Sequence, residues 1–188
     1  MSGGHGHVDP SNKRIAMLIS VLALVLAISE TLGKGAQTTV LNVNIEAANL
    51  WNFFQAKTIR GTVLKTAAEE LEVELVRVTD PKAREAMEKR IAEWKKNEAR
   101  YQSEPDTGEG RKELMARALA AEKKRDTSLA AYHNFEIASA AVQIAIVLAS
   151  AEVITGVVAL VWISAGLGLI GIAFCTIAIF WPTMVHLF

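Results

Sequence analysis

From Phe135 to its last residue, Phe188, the chain carries formal charge only at Glu136 and Glu152. A run this apolar is about twice the roughly 20 residues that one helical crossing of a hydrocarbon core needs, so it must turn back on itself. Thr155-Gly156 is the favoured break, giving one span at 135–155 and, within 156–188, a further span closed by Trp181-Pro182 and followed by the C-terminus. A break at Gly166-Leu167-Gly168 moves the turn without changing the number of spans. A further apolar run, Ile15 to Leu32, stands behind Lys13 and Arg14 and makes a first span at 13–33. It exceeds the roughly 7–15 residues of a signal-peptide core, and no A-x-A cleavage site follows it, so it reads as an anchor. The expected fold is all-α: an integral membrane protein with three transmembrane helices.

Charge is concentrated between these runs. Of 20 Lys and Arg, 18 lie between Lys34 and Arg125, and 17 of 20 Asp and Glu lie between Glu46 and Glu136. The signs are interleaved and the net charge is zero, which excludes the basic stripe that follows a nucleic-acid backbone. Cys175 is the single cysteine, so an internal disulfide is excluded. Residues 1–12 read as a flexible tail, whose His5-Gly6-His7 supplies too few ligands for a closed metal site.

The middle segment, 34–134, reads as helix throughout and as extramembrane. Val43, Ala47, Leu50, Phe54, Leu64, Ala68, Leu71, Leu75 and Val78 alternate at spacings of four and three, with Lys57 and Gly61 at the two interrupted seam positions. That heptad register predicts a long helix with a coiled-coil-like seam. Asp80-Pro81 ends it and caps the next helix, which carries the stripe Ala83, Met87, Ile91, Trp94 and Tyr101. A turn at Ser103 to Gly110 leads into a helix from Arg111, with Leu114, Ala118, Ala121 and Leu129 on one side, that runs directly into the second span. The expected product is a helical hairpin or three-helix stalk, with the seam closed within one chain or between chains.

The stretch Asn49-Leu50-Trp51-Asn52-Phe53-Phe54-Gln55-Ala56-Lys57-Thr58-Ile59-Arg60, shortly after an N-terminal anchor, resembles the signature of the bacterial domain-of-unknown-function 4337 family. The run Gln143-Ile144-Ala145-Ile146-Val147-Leu148-Ala149-Ser150 is similar to the pattern of that family's second span. The resemblance implies one N-terminal span, a helical middle and a C-terminal pair of spans, and it carries over no activity. The chain departs from the family in lacking basic residues between the last two spans.

Three sets of residues are candidates for function. Glu30, Gln143 and Glu152 are polar groups within or at the ends of spans, where charge costs several kcal/mol, read as interfacial carboxylates and an interhelical hydrogen-bonding amide or as parts of a proton or cation path. Ala141, Ala145, Ala149, Ser164 and Gly168 repeat at spacing four and are expected to let helix backbones approach closely. On the middle segment, the seam residues Leu50, Phe54, Leu64, Leu71 and Leu75, with Trp51 beside them, are candidates for interaction, and Lys57 on the seam is expected to pair with a Glu of a neighbouring helix. The aromatic residues read as core rather than as a binding patch.

No P-loop, zinc-protease motif, nucleophile elbow or cysteine cluster is present, so neither catalysis nor a cofactor is expected. The expectation is a non-enzymatic scaffold or accessory subunit, with membrane lipids and either its own copies or a larger membrane complex as partners. The alternative is a small oligomeric channel or transporter. The expected location is the bacterial inner membrane, with the middle segment periplasmic because Lys13 and Arg14 favour a cytoplasmic start.

Overall fold

A computed structural model describes residues 10–185, with side chains from Lys13 onward. His5, His7 and His186 lie outside the described residues. Four helices follow in order: α1 (Pro10–Leu75), α2 (Pro81–Gln102), α3 (Arg111–Thr155) and α4 (Ala159–Phe180). α1, α3 and α4 are long and apolar enough to cross a membrane. The chain divides into two units: one takes it up to Leu41 and from Arg125 onward, the other takes Asn42–Lys124.

α1 is continuous over 66 residues, although Gly33-Lys34-Gly35 looks like a place to stop. No proline lies between Pro10 and Pro81, and the Thr38 and Thr39 hydroxyls donate to the carbonyls of Lys34 and Gly35 at 2.9 and 3.0 Å, within the helix. The helix ends at Leu75, a few residues before Asp80-Pro81. The run Val76-Arg77-Val78-Thr79 is rich in β-branched residues, and Asp80, ahead of proline, is extended at φ −74° and ψ 122°. Asp80 then caps α2 by accepting from the Lys82 and Ala83 amides.

In the charged unit, α2 and α3 in succession close the seam of α1. Val43, Ala47 and Leu50 are buried against Leu114, Ala118 and Ala121, with Trp51, Phe53 and Phe54 packed beside them. The Trp51 indole donates to Glu122 at 2.9 Å. Farther along α1, Glu72 pairs with Lys95 of α2 and Ala68 is buried. On α2, Ile91 is buried whereas Ala83 stays exposed.

The turn between α2 and α3 is tightly built. Gly108 has φ +68°, and a Cβ at Gly110 would stand 2.7 Å from Ser103 Cα and collide with the Glu104 amide. Glu113, in the first turn of α3, accepts from the Ser103 hydroxyl at 2.7 Å and the Glu104 amide at 3.1 Å. These bonds, the Ser103 one foremost, hold its carboxyl below the usual carboxylate range. A depressed folded value means the bonds stabilise the turn above that range and are lost as pH falls through it. The Glu104 amide NMR resonance is therefore expected to titrate at acid pH, and Glu113→Gln to abolish that titration.

The apolar unit packs α1, α3 and α4. Leu22, Val142 and Ala145 form its buried cluster, with Leu18, Val25, Leu26, Ile146 and Leu167 around them. α3 and α4 are joined at Gly156, φ +71°, whose amide donates to the Glu152 carbonyl at 2.7 Å. Its interior is rich in small and polar residues: Ser29, Ala138, Ala145, Ala149 and Ser164 are all fully buried. Met17, Leu24, Val147, Trp162, Leu169 and Phe180 are exposed on its outside.

Candidate functional site

The small residues expected at packing seams are all buried: Ala141, Ala145, Ala149, Ser164 and Gly168. Ser164 donates to the Ala145 carbonyl at 2.7 Å, and a Cβ at Gly168 would stand 2.6 Å from Leu22 Cδ2. Gly171 is tighter still, because a Cβ there would collide with Val142 and stand 3.1 Å from the Ala138 carbonyl oxygen. Its place, three residues after Gly168 and so beside it on the helix, is the sequence signal for it.

Lys57 is 5% exposed. Its ammonium lies 3.6 Å from Glu104 and 3.9 Å from Glu109, between the rings of Phe53 and Tyr101 at 5.3 and 5.1 Å. Both carboxylates come from the turn between α2 and α3, so this buried charge is compensated within the unit. Leu50 is buried, and Trp51, Phe54, Leu64, Leu71 and Leu75 are half-buried. The opposite face of α1 is bare. Ile45, Asn52, Ile59, Thr66 and Val73 recur every seven residues there and are all exposed, the three apolar ones by 60, 65 and 65%.

The three intramembrane polar candidates separate into two places. Glu152 is buried near the end of α3. Glu30 of α1 accepts from the Gln143 amide of α3 at 3.2 Å. Beside Glu30 opens a cleft of about 260 Å³, lined by Ser29, Glu30, Gly33, Lys34 and Gln37 from α1 and by Tyr132, Phe135 and Glu136 from α3.

The cleft exists because Gly33 lets the helices approach: a Cβ there would stand 3.2 Å from Phe135 Cβ. Above this contact, Glu136 accepts from the Tyr132 hydroxyl at 2.6 Å and lies 3.3 Å from His133 Nδ1. Ser29 is wholly buried, and its hydroxyl has no hydrogen-bond partner among the described residues. Ser20, Thr31, Ser150 and Thr176 in the same unit bond back to the carbonyl four residues earlier, which Ser29 does not. Sequence reasoning named Glu30 and Gln143 but passed over Ser29, Lys34 and Glu136. The available signal was two pairs at spacing four, Glu30 with Lys34 and Tyr132 with Glu136, each at the edge of an apolar run.

A second, larger cleft lies between Lys65, Glu69 and Glu72 of α1 and Lys95 and Glu98 of α2. Its lysines are matched locally, Lys65 with Glu69 at 3.9 Å and Lys95 with Glu72. Among the described residues no group of His, Cys, Asp and Glu has the makings of a metal site.

Comparison with curated proteins and with solved structures finds no match. A family model does match, that of the domain of unknown function DUF4337, over residues 11–181. The matched region takes in the cleft, the buried lysine, the small-residue seams and all four helices except Pro10, so the chain belongs to the DUF4337 family.

Proposed function

We propose that the protein is a non-enzymatic, membrane-anchored scaffold or accessory subunit whose charged unit associates with a second copy of itself. Support for membrane embedding comes from the reversed packing of the apolar unit, with Ala and Ser inside and Leu, Val and Trp outside, as suits a hydrocarbon solvent. We place it in the bacterial inner membrane with the charged unit periplasmic, since Lys13 and Arg14 precede the first span. A cysteine at Asp106 is then labelled by an impermeant thiol reagent in intact cells and one at Ser11 is not.

One observation carries the association: the bare row Ile45, Asn52, Ile59, Thr66 and Val73 on α1. β-branched residues at one heptad position, with a single Asn among them, are what a two-stranded parallel pair uses at position a. Two copies inserted with the same topology leave the membrane at the same residue, which favours a parallel, in-register pairing of α1. In that register Lys65 occupies a g position and Glu70 the following e position, both within α1, so Lys65 of one copy faces the oppositely charged Glu70 of the other.

In a Cys175→Ser background, Ile59→Cys is expected to form a disulfide-linked dimer in native membranes. Lys89→Cys, on the exposed side of α2, is expected to remain monomeric. Equal crosslinking of the two would overturn the proposal. A channel draws less support from this arrangement, because Glu152 is buried within its own unit and Glu30 is engaged by Gln143.

A further inference from the structure

We infer that the cleft of Ser29, Glu30, Lys34, Tyr132 and Glu136 binds the phosphoethanolamine headgroup of a membrane lipid. The inference rests on the membrane-embedded reading of the apolar unit and not on self-association. The cleft offers both halves of a zwitterion a partner. Glu30 and Glu136 present two carboxylates, acceptors for a primary ammonium, which donates three N–H groups. Lys34 has no ion-pair partner among the described residues, and with the Ser29 hydroxyl it supplies donors for a phosphate.

Ser29 is the independent sign of a missing ligand. A fully buried hydroxyl without a partner is costly, and its neighbours in the same unit satisfy theirs within the helix. The ligand is amphiphilic because the cleft lies where the apolar runs end, Ile15 to Leu32 giving way to Lys34 on α1 and the run on α3 beginning at Phe135, which is the level of a lipid headgroup. The headgroup chemistry separates the common phospholipids. Choline has no N–H to give the carboxylates, and glycerol leaves the two carboxylates facing a further negative charge without a cation.

The test uses the full chain, purified in mild detergent, stripped of lipid and titrated with phosphatidylethanolamine, phosphatidylcholine or phosphatidylglycerol under native mass spectrometry. Phosphatidylethanolamine is expected to be retained about tenfold more strongly than the other two, the scale of one hydrogen-bonded charge. Glu136→Gln and Lys34→Gln, at exposed positions, should each weaken retention by about the same factor without lowering the thermal midpoint. Ser29→Ala should also weaken it, although a merely structural serine without a hydrogen bond would leave retention unchanged. Soluble phosphoethanolamine distinguishes the source: failure to displace the lipid at equal concentration supports a lipid site, and equal displacement overturns it. Equal retention of phosphatidylglycerol, or wild-type retention by the variants, also overturns the inference. Should the protein resist alkaline carbonate extraction yet show no lipid preference, the headgroup site fails and the membrane reading stands.

Discussion

Adding one methyl group at Gly171 is expected to disrupt packing of the apolar unit, whereas the same change five residues earlier on the same helix should not. At Gly171 a Cβ meets Val142 and stands 3.1 Å from the Ala138 carbonyl oxygen. The first is a β-branched side chain with few rotamers, and the second is backbone inside a continuous helix. Neither yields without moving α3 away from α4, and such overpacking costs about 1–3 kcal/mol. At Gly168 the obstacle is the end of the Leu22 side chain, which turns more readily. At Gly166 nothing lies within 4 Å, so Gly166→Ala gains helix propensity of up to about 1 kcal/mol. Thermal midpoints of the detergent-solubilised variants should therefore fall in the order Gly166→Ala, Gly168→Ala, Gly171→Ala. A Gly171→Ala midpoint equal to that of Gly166→Ala would refute the close approach of α3 and α4.

Leu114→Ala is expected to loosen the charged unit by about 2–5 kcal/mol, the range for truncating a buried leucine. Leu114 is completely buried, and it packs with Val43, Ala47 and Leu50 of α1. Its neighbours on α3 in this cluster, Ala118 and Ala121, are too short to fill the space left behind. The backbone amides of 43–50 and 114–121 should exchange with deuterium faster in the variant. Amides of α4 should keep their protection, since α4 belongs to the other unit. Unchanged exchange at 43–50 would show that another contact closes the seam there.

Much of the helical architecture was legible because its signals are local. Asp80-Pro81 caps α2, Gly156 with its positive φ turns the chain between α3 and α4, and α4 ends at Phe180 ahead of Trp181-Pro182. The chain segment from Arg111 joins the apolar run without a break because no Pro or Gly interrupts it before Gly156. The polar cleft was half legible. Glu30 and Gln143 are conspicuous because charge and amide are rare in spans, whereas Ser29, one serine in a helix that also holds Ser20, has no sequence feature that marks its hydroxyl as unpartnered.

Periodicity along α1 determined by itself that a helix would form and that Val43, Ala47, Leu50 and Ala68 would share one face. Composition likewise determined which segments are apolar enough to cross a membrane. Only the tertiary structure decided what each face meets: Leu114 and its alanines on the seam, Glu104 and Glu109 at Lys57, Phe135 at Gly33, and, among the described residues, nothing on the row from Ile45 to Val73. A helical face is set by residues three and four apart, within reach of any short window of sequence. Its partner arrives from a distant part of the chain, and which segment arrives depends on the fit of whole surfaces, such as the bare backbone at Gly33 that leaves room for Phe135.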